Sequence, residues 1–224
     1  MLACSPAKPH DDILGTQTKL YSQFDEELII RDFFQDRTGG VFLDVGSGKP
    51  IKNSTTYYLE KHLGWSGIAI DALDRYAEGY ATERLHTRFF SYIVTDHDGA
   101  REKFYRVKGA AGLSSTEKDR VFRGMKLRQE ELEVPTITLN RLLEREGVEK
   151  IDFLSMDIEG GTLKALAAFD IDKYKPEFVC IEHGEEFDKV SPPLILQWFN
   201  DRGYERIEDY DTRDLYNWYF APRK

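Results

Sequence analysis

The chain has 224 residues, enough for one sizeable α/β domain and short for two. Charged residues make up 32% of it, and no apolar run approaches the roughly 18 residues of a membrane-spanning helix, so a spanning helix is excluded. A formal net charge of −9 argues against a nonspecific grip on nucleic acid and leaves small, neutral or cationic ligands as the expected partners.

The opening "MLACS" sets Leu-Ala before Cys4, as at the end of a lipoprotein signal, without the charged and apolar segments that precede such a site. Cys180 is the second cysteine, and the two form neither a disulfide framework nor a metal-ligand spacing. A reducing, cytoplasmic compartment is therefore expected, unless the start is what remains of a trimmed leader.

"YSQFDEELIIRDFF" puts Phe24, Leu28, Ile29 and Phe33 on one helical stripe, with Ser22 as N-cap. A buried strand "VFLDV" follows, then the loop "GSGKP", then a helix in "NSTTYYLEKHLG" capped by Asn53 or Ser54 and closed by Gly64. "SGIAIDA" reads as a second strand ending in Asp71, and "RFFSYIVTD" as a third closed by the turn "DHDG". "KFYRVK" is a short strand, "GAAGLSSTEKD" a polar loop, and "VPTITLNRLLEREG" an extended piece entering a helix capped near Thr138. "IDFLSMDIEGG" and "EFVCIEHGEE" are strands running into acidic loops, with "TLKALAAF" a helix after the first. "PPLILQWFNDRG" has prolines suited to a helix's first turn and Gly203 at its end. "YERIEDY" and "LYNWYFAP" form a closing antiparallel hairpin.

This alternation predicts a mainly parallel sheet covered on both faces, with ligands beyond the carboxyl ends of its strands. Those tips carry Asp44, Asp71, Asp157 with Glu159, and Glu182 with His183. A dinucleotide fingerprint would need a third glycine at position 51, where Ile51 stands. Asp44, Gly46 and Gly48 suit instead a ligand with a cationic amino acid portion, since bare backbone permits close approach and a carboxylate can meet an ammonium. Asp71 lies 27 residues after Asp44 at the next tip, where a ribose diol finds a bidentate acceptor. Asp157 and Glu159 can take a proton from a hydroxyl, bind an ammonium, or hold a hard divalent cation such as Mg²⁺ together with Glu182 or His183. His10, His62, His86 and His97 read as surface residues, Cys180 as a small core residue, and "NWYFAP" as core strand.

"SQFDEE", "FLDVGSG", "GIAID", "TLNRLLEREGVEKIDFLSMDIEGGTLKAL" and "VCIE" together resemble the FkbM-type family of S-adenosylmethionine (SAM)-dependent methyltransferases, from about Ser22 to Glu182. The resemblance implies a class I methyltransferase fold, a Rossmann-like, mainly parallel seven-stranded sheet with the last strand antiparallel. It implies a flexible tail over 1–21 and one methyltransferase domain over 22–224. SAM would be the methyl donor and a hydroxyl of a small molecule, sugar or natural product the acceptor. Asp44, Gly46 and Gly48 would form the first SAM loop, with Ser47, Lys49 or the 54–56 segment at the methionine end. Asp71 would hold the ribose, and Asp157 and Glu159 would be the signature acids beside the methyl. The chain departs from the family where a small residue, Asn and Gly usually continue the loop, and at Thr162, where a second acid often follows the Glu-Gly pair.

Asp157 is the expected base or orienter, with His183 the alternative base and Ser114, Ser115 and Thr116 covering the substrate. A metal-assisted version would place Mg²⁺ on Asp157, Glu159 and Glu182. Two other classes stay open on the residues alone: a non-catalytic SAM- or nucleoside-binding module, and a divalent-metal hydrolase.

Overall fold

A computed structural model describes residues 12–118, 121–122, 125–184 and 190–224; Cys4, His10 and the start of the expected tail lie outside them. The strands in chain order are β1 (Val41–Val45), β2 (Ser66–Asp71), β3 (Thr87–Ser91), β4 (Ile93–Val94), β5 (Arg101–Val107), β6 (Val121–Phe122), β7 (Met125–Lys126), β8 (Gln129–Ile137), β9 (Phe153–Met156), β10 (Phe178–Glu182), β11 (Tyr204–Arg206) and β12 (Asn217–Pro222). The helices are α1 (Ile13–Thr16), α2 (Glu26–Phe34), α3 (Tyr57–Leu63), α4 (Ala77–Glu83), α5 (Leu139–Arg145), α6 (Thr162–Ala167), α7 (Ile171–Tyr174) and α8 (Ser191–Asp201).

Seven strands form the main sheet in the order β11-β12-β10-β9-β1-β2-β3. The pairs from β10 to β3 are parallel, whereas β12 is antiparallel to both β10 and β11. The chain leaves β1 toward β2 and β3, then returns to the other side of β1 as β9, so strand order reverses between β1 and β9. That reversal opens a crevice at the carboxyl ends of these two strands.

Alternation along the strands feeds two cores. Phe42, Phe153 and Phe178 pack with Ile29, Ile30, Leu59 and Leu63 of α2 and α3. Leu43, Leu154 and Val179 pack on the opposite face with α5, α6 and α8. Cys180 and the aromatics Trp218, Tyr219 and Phe220 are buried, as their strand positions predict.

Local signals set most boundaries. Gly64 closes α3 in the left-handed region, and the Ser54 hydroxyl accepts the Tyr57 amide at 3.1 Å at its start. Thr138 caps α5 by accepting the Arg141 amide at 3.2 Å. Ser22 accepts the Glu27 amide at 3.2 Å, but α2 itself starts at Glu26. Residues 12–21 contain α1, with Ile13 buried, and the Leu20 and Tyr21 amides donate to the Glu27 carboxylate.

The middle of the chain is more regular than its sequence suggests. The single strand expected in "RFFSYIVTD" is two: β3 stays in the main sheet, while β4 pairs with β8 in a second sheet of order β4-β8-β5. β5 and β8 form an antiparallel ladder from Arg101↔Pro135 to Val107↔Gln129. Opposite charges pair across it, such as Lys103 with Glu131, 2.7 Å apart at diagonal positions.

The loop after β1 is held by Arg84, which follows α4 and is 1% exposed. Its Nε donates to Glu60, one terminal nitrogen to the Pro50 carbonyl and Ser54, and the other to Thr56 and Thr87. All five guanidinium N–H groups are thus used. Burial alone would raise the Glu60 pKa, but bonds from Thr87, Arg84 and the His86 amide outweigh it and hold the carboxyl below its ordinary range. Arg84→Met should lower the unfolding free energy by about 3–5 kcal/mol, because it strands a buried Glu60 charge. A urea midpoint equal to that of the wild type would show that the loop is held by something else.

Candidate functional site

The register brings the strand-tip residues into one row. Val45 is level with Ile70 of β2 and Met156 of β9, and Met156 is level with Ile181 of β10. The next residue on each strand is Asp71, Gly46, Asp157 or Glu182, so three carboxyls and one glycine span four adjacent tips.

Gly46 stands between the acids for a steric reason. Its φ is +82°, and a Cβ there would lie 1.8 Å from the Asp157 carbonyl oxygen. The Gly46 and Ser47 amides both donate to the Ile70 carbonyl, and the Asp157 amide donates to that of Val45 at 2.8 Å. Gly48, at φ +57°, has open space where its Cβ would be.

An open cleft of about 750 Å³ lies above this row. Gly46, Gly48 and Asp71 line one side of it, Asp157 and Glu159 another. Leu73, Tyr76, Tyr92 and Ile93 supply apolar and aromatic wall, and Phe104 with Ser114, Ser115 and Thr116 closes it from the second sheet. The segment ending in "GLSST" thus covers the cleft as expected. It is clipped to β5 by paired Tyr105 and Ser115 backbones and by the Ser114 hydroxyl, which accepts the Val107 amide at 2.9 Å.

Each acid has its own surroundings. Asp71 accepts the Gly48 amide at 2.9 Å on one oxygen and the Leu73 amide at 2.8 Å on the other. Burial raises its pKa against those bonds, and each oxygen keeps a lone pair for a further donor. Asp44 is 4% exposed and is not part of the cleft wall; it accepts the Thr56 hydroxyl at 2.7 Å. Burial pushes its pKa up to about 6, against the lowering effects of Thr56 and Arg84.

Asp157 opens to water through the cleft mouth while protein surrounds it on its other sides. Its pKa is held well above the ordinary carboxylate range, first by desolvation, then by the charge of Glu182 and a hydrogen bond with it, then by Asp44 and Asp71. Glu159 is half-buried in the cleft wall. The Ser47 hydroxyl is buried without a hydrogen-bond partner.

The structure therefore joins Gly46, Gly48, Asp71, Asp157 and Glu159 in one cleft, with Asp44 and Ser47 just beneath. His183 is not brought in. Its Nε2 donates to the Leu215 carbonyl at 3.1 Å, and its ring stacks on Trp218 with centroids 4.7 Å apart. The Mg²⁺ set of Asp157, Glu159 and Glu182 is not assembled either: among the described residues, no three His, Cys, Asp or Glu side chains could hold a metal ion. Sequence reasoning missed Tyr76, in the turn after β2, Tyr92, between β3 and β4, and Phe104, in the middle of β5, none of which stands in a recognisable motif.

A profile of the methyltransferase FkbM domain matches residues 44–206, most of the chain and all of the acid row. The chain belongs to the FkbM methyltransferase family. Similarity to solved structures is distant. One is titled METTL16 MTase domain, at 13% identity and TM-score 0.44, with 88% of this chain and 65% of that one covered. Another is a human methyltransferase 10 domain containing protein, at 13% identity and TM-score 0.42, covering 96% and 90%. The family member thus spans 65% of the METTL16 domain's chain. No curated protein sequence matches it.

Asp44 makes stability depend on pH with a defined sign. The folded chain keeps its proton up to about 6, whereas the unfolded chain releases it near 3.8. Stability contributed at acid pH is lost as pH rises through that interval and is level above it. Asp44→Asn, which still accepts from Thr56, should flatten this part of the profile in urea titrations on either side of the interval. An unchanged slope in the variant would mean that Asp44 is already ionised in the folded protein at acid pH.

Proposed function

We propose that the cleft holds SAM and that the protein transfers its methyl group to a hydroxyl oxygen of a small molecule, sugar or natural product. The observation that carries this reading is the row itself: Asp71, the Gly46–Gly48 loop and Asp157 share one cleft in a methyltransferase family member.

The residues fit the group. Gly48 leaves space where a side chain would intrude, and the buried Ser47 hydroxyl lacks a partner. Asp71 has lone pairs left for two ribose hydroxyls, and Leu73, Tyr76 and Tyr92 give an adenine-sized apolar and aromatic wall. The buried Asp44 would act on the ligand's charge through the loop rather than by direct contact.

SAM supplies an electrophilic methyl on a sulfonium. The protein's share is to align the hydroxyl and receive its proton. Asp157 is the group suited to this, because it faces the cleft and its raised pKa brings it nearer to a hydroxyl's proton. His183, with Nε2 committed to a carbonyl, does not suit it. Asp71, Asp157 and Glu159 in the wall repel an anionic acceptor, which favours a neutral or cationic one.

Calorimetric titration with SAM and with S-adenosylhomocysteine should give saturable binding. Asp71→Ala should weaken it by about tenfold or more, the size expected on losing hydrogen bonds to a charged group. Asp157→Asn should bind within a few-fold of wild type while methyl transfer to neutral hydroxylated acceptors falls by about 10²–10⁴. Turnover that survives Asp157→Asn would remove Asp157 from the base role.

A further inference from the structure

We propose that Glu182 is the proton-holding partner of Asp157, and that entry of the cationic cofactor expels their shared proton to solvent, leaving Asp157 ionised only in the loaded protein. This rests on the SAM reading above and extends it to a residue that does not line the cleft.

The argument starts from geometry. β9 and β10 are parallel neighbours with Met156 level with Ile181, so Asp157 and Glu182 are the next residues on adjacent strands. From that neighbouring tip the Glu182 carboxyl raises the Asp157 pKa both by its charge and by hydrogen bonding. An ionised carboxylate only accepts, so a carboxyl–carboxyl bond needs a proton on one partner. Two such groups in contact hold that proton tightly, because the second ionisation sets like charges side by side.

The surroundings add to this hold. Asp44 of β1 and Asp71 of β2 both act on Asp157 in the same direction. Glu159 lines the same cleft, and Glu117 lies against Gly160 in the turn after β9. Tyr76 and Tyr92 are the titratable phenols among the described cleft residues. With the cleft empty, this group of acids favours keeping one proton.

A cation reverses the balance. SAM carries a sulfonium and an ammonium against one carboxylate, for a net charge of +1, whereas S-adenosylhomocysteine lacks the sulfonium and is neutral overall. The sulfonium's charge in the cleft favours the doubly ionised pair, and the proton passes from the pair to the buffer. Glu182 then acts through Asp157, as a positioning residue that keeps the base masked until the donor is present.

The test counts protons rather than turnover. Wild-type protein is titrated calorimetrically with SAM, and separately with S-adenosylhomocysteine, near neutral pH in buffers of different ionisation enthalpy. The expected result is release of about one proton per SAM bound and clearly less per S-adenosylhomocysteine. Glu182→Gln and Asp157→Asn should each bring the SAM count close to zero while saturable binding persists. Glu182→Asp, which keeps a titratable carboxyl, should recover part of it.

Equal proton counts for the two ligands, or a wild-type count in Glu182→Gln, would overturn the proposal while leaving SAM as cofactor. Failure of both ligands to bind wild-type protein would overturn the cofactor reading itself. If Glu182→Gln does not fold, the same decision rests on Asp157→Asn and on the difference between the two ligands.

Discussion

The contact between Gly46 and the backbone of Asp157 is the constraint on which the site depends. β1 and β9 stay paired as far as Val45 and Met156, and beyond that their tips meet so closely that a Cβ at position 46 would lie 1.8 Å from the Asp157 carbonyl oxygen. That abutment turns the chain after β1 toward β2, where the Ile70 carbonyl takes the amides of both Gly46 and Ser47. It also fixes the backbone of Asp157, so its carboxyl faces the cleft at the level of Asp71. The glycine serves first to let two strand tips meet, and the ligand site follows from the meeting.

Around this contact the protein uses buried polar groups in two different ways. Arg84 gathers Glu60, Thr56, Thr87, Ser54 and the Pro50 carbonyl into a satisfied network, and Thr56 passes a further hydrogen bond to Asp44. Every charge there has a partner, so the network stiffens the loop under the cleft. The row above is different: Asp71, Asp157 and Glu182 are acids on neighbouring strand tips, and burial raises the pKa of Asp71 and Asp157 in spite of the Gly48 and Leu73 amides and the Arg75 charge acting on Asp71. The first arrangement supports a shape; the second is open to a charged ligand.

Much of this was legible in the sequence because it is local. The strands that lead to Asp71, Asp157 and Glu182, the caps at Ser54 and Thr138, and the left-handed Gly64 all follow from short-range pattern, and the family motif covered the acid tips. Three things were not legible, each because it depends on partners far along the chain. Arg84 stands in an unremarked stretch, and apart from Thr87 its partners lie 24 to 34 positions away. The β5–β8 ladder, and with it Phe104 in the cleft, needs pairing across the unread "QEELE" segment, whose acids mask a strand. His183 has the residue type and tip position of a base, yet the segment before β12 takes its Nε2.

The acid row has a thermodynamic consequence that links stability to function. Raised carboxyl pKa values mean that ionising these groups costs the folded chain free energy that the unfolded chain does not lose. Hydrophobic burial on both faces of the sheet must offset that cost. On the proposed reading, a ligand bringing positive charge into the cleft would relieve it, so part of that cost would become affinity for a cation over a neutral analogue of the same shape. Product that has lost its positive charge would no longer relieve the row, so the same acids that draw a cationic donor in would favour release of its neutral remnant. Discrimination of this kind needs no moving part. It follows from placing three carboxyls level on adjacent strand tips, and the register of the sheet does that.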